Sequence, residues 1–186
     1  MNNKIILLIS GKRKSGKDYI CEKLKSLIGP DKCDIIRISG PLKAIYAADH
    51  GLQLEELMSD SPYKETYRLD MIKWSDEIRA KNPGYFCKAA CDNAFKKIVW
   101  IVSDVRRKSD IKWFKETYGS IVRTIRISAT DDVRRQRGLV FKTGVDDEES
   151  ECGLDDYKEW DHQVSNNNED DCQIAINTII SIVEKF

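Results

Sequence analysis

Residues 11–18 read Gly-Lys-Arg-Lys-Ser-Gly-Lys-Asp, a G-x-x-x-x-G-K pattern set between the apolar run Ile5–Ile9 and a helix-like segment. The glycines let the backbone curl so that successive N–H groups point at one place. The helix starting near Gly16 adds its positive end, and Lys17 can reach the outer phosphates of a nucleotide. Gly11, Ser15 and Gly16 shape the turn and the cations serve it, which makes a cradle for a nucleoside triphosphate. The next position usually carries a Ser or Thr whose hydroxyl holds Mg²⁺; here it is Asp18, so the metal is to be met by a carboxylate or through water. Lys12, Arg13 and Lys14 crowd the same loop. Close pairs of like charge repel by up to ~4 kcal/mol at an effective dielectric of about 20, so this cluster predicts a polyanion among them.

Further along, Trp100-Ile101-Val102 leads into Ser103-Asp104 and then Arg106-Arg107. Such a run puts an acid and two guanidinium forks at the carboxyl end of a strand, the edge where open α/β sheets bind ligands. Asp104 is therefore a candidate to hold the metal's water shell, or else a cap for the following turn. Arg106 and Arg107 suit the phosphate of an acceptor, or a solvated helix start. Arg134, Arg135 and Arg137 precede Gly138 and a Thr-, Gly- and acid-rich stretch, Thr143 to Asp155. Arg134 and Arg137, three apart, would share a helix face, and the segment of about 130–156 could fold them over a nucleotide as a lid. The alternative is an ion-paired helix, with Asp146 and Glu149 starting the next one as in a capping box. Arg79 and Arg126 are weaker candidates.

These groups need a frame. Apolar, β-branched runs at Ile5–Ile9, Asp34–Ile38, Ile98–Ser103 and Ile121–Ile127, with helix-period segments between them, predict an α/β fold with a parallel sheet covered on both faces; a weaker fifth strand fits His162–Ser165. Helices are expected at Tyr19–Ile28, stopped by Gly29-Pro30, and around Ile111, Phe114 and Tyr118, stopped by Gly119. The clearest spans Pro62 to Lys81, with Ser61 as cap, Tyr63, Tyr67, Met71, Trp74 and Ile78 on one stripe, and Asn82-Pro83-Gly84 as its end. A last helix begins near Asn168. Its early acids suit the positive end, and Cys172, Ile176, Ile179, Val183 and Phe186 should dock it on the sheet.

Composition bounds the rest. The 186 residues match one domain, and 31 basic against 31 acidic side chains leave no global field to draw the protein onto nucleic acid or an anionic membrane. The early apolar run is too short for a signal segment or a membrane span, and the chain ends Glu184-Lys185-Phe186 rather than in a Ser-Lys-Leu-like tripeptide, so a cytosolic protein is expected. Six cysteines without a C-x-x-C pair argue against a zinc site or a disulfide framework.

Five words of the sequence resemble animal-type phosphomevalonate kinases: residues 11–18, Ser-Gly-Pro-Leu-Lys (39–43), Val-Ser-Asp-Val-Arg-Arg (102–107), Arg-Gln-Arg-Gly (135–138) and Gly-Val-Asp-Asp-Glu-Glu-Ser-Glu-Cys-Gly-Leu-Asp (144–155). The likeness runs from Ile5 to about Asn166 and includes the unusual Asp18. It implies a P-loop kinase fold, a three-layer α/β/α arrangement of five parallel strands with a mobile lid, in one domain spanning 1–186 with an acceptor-binding helical region at about 41–96. It also implies transfer of the ATP γ-phosphoryl group to mevalonate 5-phosphate, with Mg²⁺, by a monomer. Carried over by position, Lys12, Arg13, Lys14 and Lys17 would serve ATP with Asp18 near the metal. Lys43, Lys64, Arg68, Arg79, Arg106 and Arg107 would hold the acceptor, and Arg126, Arg134 and Arg137 would close over the reaction. Asn166 would lie near bound ligand, on the acceptor's side together with Arg126, followed by Asn167 on the nucleotide side. Asn167-Asn168, His162 and Leu139 depart from the family's His-Gly, Trp and Trp, which bears on contacts at the nucleotide's edge more than on the chemistry.

The implied reaction needs no general base, because a phosphomonoester with a second pKa near 6 is already largely ionised at neutral pH. What it needs is cations and in-line placement of two polyanions. Two other readings compete: a nucleoside monophosphate kinase of the phage deoxynucleotide type, and an ATP-binding regulatory module. A GTPase switch is disfavoured by the lack of an Asn-Lys-x-Asp tetrad.

Overall fold

The computed structural model describes residues 4–59 and 62–186. In chain order its elements are β1 Ile5–Ser10, α1 Lys17–Ile28, β2 Cys33–Ile36, α2 Ser39–His50, α3 Leu54–Met58, α4 Pro62–Lys81, α5 Tyr85–Asp92, β3 Val99–Val102, α6 Lys108–Tyr118, β4 Val122–Ser128, α7 Asp131–Gln136, α8 Glu149–Cys152, β5 His162–Ser165 and α9 Glu169–Glu184. The five strands form one sheet, ordered β2-β3-β1-β4-β5, and every neighbouring pair is parallel. Ser61, expected to cap α4, lies outside the described residues.

Strand β1 is buried along its whole length, and its side chains alternate between two cores, as the two-residue period of a strand requires. Ile5, Leu7 and Ile9 pack with Ile20, Cys21 and Leu24 of α1 and Ala175, Ile176, Ile179 and Ile182 of α9. Ile6 and Leu8 face the other way, onto Phe86, Cys87, Ala90 and Cys91 of α5 and Ile111 and Phe114 of α6. Helices thus cover both faces, giving the three layers. Within α2 to α4, a third cluster gathers Tyr46, Ala47, Leu57 and Met71, flanked by Tyr63, Tyr67 and Trp74 of the α4 stripe.

Two expectations about elements are corrected. The second strand stops at Ile36, not Ile38, because the N–H groups of Ile38 and Ser39 turn to the Asp104 carboxylate, at 2.7 and 2.9 Å, and open α2 there. On α9, Ile176 and Ile179 dock as expected with Cys172 and Val183 partly buried against the same core, Ala175 and Ile182 join them, and only Phe186 departs: it lies beyond the helix, half exposed, with the Arg123 guanidinium 4.5 Å over its ring. All six cysteines are free thiols. No helix among the described residues is long and apolar enough to cross a membrane.

Candidate active site

The sheet delivers two loops to its carboxyl edge, Gly11–Gly16 after β1 and Ser103–Arg107 after β3, and the hydrogen bond from Val105 N–H to Ile9 C=O (3.4 Å) ties them. The first loop is wound as an anion nest: Lys14 sits at φ 63°, the one non-glycine residue with positive φ among those described, and Gly16 at φ 83°. Both glycines of this loop are packed too closely against the chain itself to admit a side chain. A Cβ on Gly11 would stand 2.7 Å from Ile127 C=O and from Ser15 Oγ, and one on Gly16 would stand 2.2 Å from Asn166 Nδ2. The Ser15 hydroxyl is buried and unpartnered. A curled loop with such an orphan and a helix N-terminus behind it fits a polyphosphate group. Lys17 donates to Asp18 at 2.7 Å, and the Asp18 side chain is 72% exposed, so its carboxylate stands open beside the loop.

The second feature is a cleft of about 210 Å³ between α2, α4 and the β3–α6 loop, lined by Lys43, Lys64, Arg68, Arg79, Arg106 and Arg107 together with Asp104, Asp110 and Glu151. All six cations assigned to the acceptor by resemblance meet here, although they come from three separate elements. The Nε groups of Arg68 and Arg79 are buried with no hydrogen-bond partner, the state in which a guanidinium seeks an anion. Burial lowers the pKa of Lys43 below the ordinary lysine value; Lys64 lowers it further, against the opposing effect of Asp104, and Arg68 and Arg106 add smaller depressions.

Several side chains do other work than expected. Asp104, expected at the metal, gives one lone pair of each carboxylate oxygen to the backbone at the start of α2, because those N–H groups are the nearest unsatisfied donors. Asn166, expected against the acceptor, is buried behind the phosphate loop: its Nδ2 donates to Ser15 C=O at 2.7 Å, and its C=O accepts from Arg137 at 2.8 Å. Asn167 accepts from Thr130 N–H and donates to Asp171, which joins the end of β5 to the start of α7. Arg126 is not in the acceptor cleft but beside the phosphate loop, where it donates to Ser10 Oγ and to Asp155, both at 2.9 Å. Asp146 does not open a helix; it accepts from Lys142 N–H and from Arg13, and Glu148 stands at the cap of α8.

Arg134 and Arg137 do converge on the phosphate loop, but not from one helix face, while Arg135 pairs with Asp132 in solvent. Helix α7 ends at Gln136, so Arg137 belongs to its cap. Arg134 Nε donates to Arg13 C=O at 2.9 Å, and Arg137 donates to Ser15 C=O at 3.1 Å. Acids from the same segment meet the loop's cations. Asp155 pairs with Lys12 at 2.5 Å and with Arg126, Asp146 pairs with Arg13 at 2.9 Å, and Glu151 pairs with Arg106 from the acceptor side.

Reasoning from sequence missed residues in and beside the cleft. Glu151 and Ser75 line it, Asp76 pairs with Arg107, and the buried Asp110 bonds Arg79 at 2.6 Å. Only Asp110 left a sequence signal: it lies three residues after Arg107, the spacing of a capping box.

A family model described as phosphomevalonate kinase matches residues 9–120, which span both the phosphate loop and the β3–α6 loop. A curated phosphomevalonate kinase of Drosophila melanogaster is 48% identical, over 94% of this chain and 94% of its own. The chain belongs to the phosphomevalonate kinase family. Solved structures agree at the level of fold. TT1252 from Thermus thermophilus superposes with a TM-score of 0.58 at 14% identity, covering 97% of this chain and 98% of its own. A gluconokinase from Sinorhizobium meliloti 1021 gives 0.54 at 11% identity, covering 99% and 98%.

Proposed function

We propose that this protein transfers the γ-phosphoryl group of ATP to the phosphate of mevalonate 5-phosphate, giving mevalonate 5-diphosphate and ADP. The observation that carries the reading is the cleft: six cations, two with buried unpartnered Nε groups, next to a phosphate nest at one sheet edge. An acceptor bearing a phosphate at one end and a carboxylate at the other satisfies cations spread over α2, α4 and the β3–α6 loop. A nucleoside monophosphate would instead leave half of them facing an uncharged base.

Lys12, Arg13, Lys14 and Lys17 hold the ATP phosphates in this reading, with Arg134 and Arg137 bracing the loop from the 130–156 segment. Lys43, Lys64, Arg68, Arg79, Arg106 and Arg107 hold the acceptor, and Arg106, on the side of Glu151, faces the transferred group. Among the described residues no group of three or more His, Cys, Asp or Glu could by itself hold a metal ion. Mg²⁺ would therefore be shared with phosphate oxygens, with Asp18 beside it and Asp104 reaching it through water, and it would supply neutralisation of phosphate charge. The protein works in this account as a cytosolic monomer on a small molecule, without nucleic acid or membrane partners.

A coupled assay of ADP release tests the reading. Turnover with Mg-ATP and mevalonate 5-phosphate, and none with nucleoside monophosphates, is the expected outcome. The reverse preference would favour a nucleoside monophosphate kinase, and ADP release without any acceptor would favour a regulatory module.

A further inference from the structure

Asp110 is 1% exposed, yet its carboxylate accepts from donors of three arginines. Oδ1 takes the Arg79 Nη1 donor at 2.6 Å and the Cys87 thiol at 3.5 Å, while Oδ2 takes the backbone N–H groups of Arg106 at 3.2 Å and Arg107 at 3.1 Å. A capping box explains only the Oδ2 half, since that motif needs no partner beyond its own helix end. The Oδ1 half reaches 31 residues back to α4. With Oδ1 holding Nη1, the Arg79 fork is fixed, its buried Nε unpartnered and its edge lining the cleft. Fixing the N–H groups of Arg106 and Arg107 likewise sets where those two side chains leave the backbone.

We propose that Asp110 is a positioning residue for the acceptor: one buried carboxylate sets the mutual geometry of Arg79, Arg106 and Arg107 before the acceptor arrives. The inference rests on the reading of the cleft as the acceptor site. Preorganised cations cost the acceptor no rearrangement when it binds, whereas a guanidinium free to rotate must be ordered by the ligand itself. The carboxylate is required rather than an amide. Every atom facing Oδ1 and Oδ2 is a donor, so an asparagine would turn its own NH₂ against either Arg79 or the two backbone groups.

Asp110→Asn and Asp110→Glu are made in the full chain and assayed with Mg-ATP and mevalonate 5-phosphate, with folding followed by thermal melting. In the variants that fold, KM for the acceptor should rise on the order of tenfold or more while KM for ATP stays within roughly twofold. Adding Asp110→Asn to Arg79→Met should raise acceptor KM by much less than adding it to wild type, because the two residues act as one unit. A lower kcat with both KM values unchanged would mean only a smaller folded fraction and would overturn the proposal. So would unchanged acceptor KM in a folded variant, or failure of both variants to fold, which would make Asp110 a core ion alone. Wild type that ignores mevalonate phosphate would instead overturn the acceptor assignment beneath it.

Discussion

The two halves of the site are built from different materials. On the side proposed for the triphosphate the backbone shapes the loop: positive φ at Lys14 and Gly16, a helix N-terminus, and glycines where a Cβ would collide with the chain itself. On the side proposed for the acceptor the groups are side chains drawn from α2, α4 and the β3–α6 loop, and three of its arginines lean on a carboxylate: Arg79 on Asp110, Arg106 on Glu151, Arg107 on Asp76. A backbone nest is made by a short local sequence. A cleft of side chains exists only after the fold has brought distant segments together, and its cations are stable there only because acids hold them.

That contrast gives tests of graded size. The largest effect should follow Lys17→Met or Arg137→Ala, with kcat down on the order of 10²-fold or more and the fold intact, because Lys17 pairs with the exposed Asp18 and Arg137 donates to loop carbonyls, both outside the hydrophobic core. Turnover near wild type in either variant would remove those roles. Next comes Arg79→Met, which should cost activity and stability together. It strands the buried Asp110 charge, and breaking a buried pair costs about 3–5 kcal/mol. A denaturant midpoint equal to wild type would erase the proposed difference between the two sides.

A smaller effect is expected from Lys43→Arg. The depressed Lys43 pKa means that the ammonium loses its proton at lower pH than an ordinary lysine, so acceptor binding weakens as pH rises through that value. Arginine stays charged, and the alkaline fall in kcat/KM for the acceptor should move upward in the variant. An unmoved limb would place the titrating group elsewhere.

The smallest effect concerns the frame. Burial alone would raise the Asp161 carboxyl, but hydrogen bonds from the Thr124 N–H (2.7 Å) and hydroxyl (2.8 Å), with Lys115 and Arg123 nearby, outweigh it and hold the carboxyl below the ordinary range. A depressed carboxyl contributes stability above its unfolded pKa, and that contribution is lost as pH falls through the folded value. Asp161→Asn should therefore flatten the acid limb of the stability profile without touching KM for either substrate. An acid limb as steep as that of wild type would refute it.

Legibility follows the same division. The sheet was readable because β1 and β3 are near-continuous apolar runs and the α4 stripe keeps one phase from Tyr63 to Ile78. The phosphate loop was readable because its pattern lies within eight consecutive residues, although Arg134, Arg137 and Asn166, which hold it, come from elsewhere. Resemblance named the cations proposed for the acceptor, and their meeting in one cleft came from the fold. The carboxylates that hold them were not legible, since nothing local marks Glu151 or Asp76 as a partner for an arginine more than 30 positions away. The backbone partners of Asp104 were not legible for the same reason: its donors, Ile38 and Ser39, belong to a different strand–helix connection.

Asp146, Glu151 and Asp155 have a consequence for how tightly ligands can be held. Lys12, Arg13, Arg106 and Arg126 already have anionic partners from one short segment, so arriving phosphates exchange with carboxylates instead of meeting bare cations. The free energy gained is then the difference between two pairing schemes. Affinity should accordingly decline less steeply with ionic strength than four such cations would suggest.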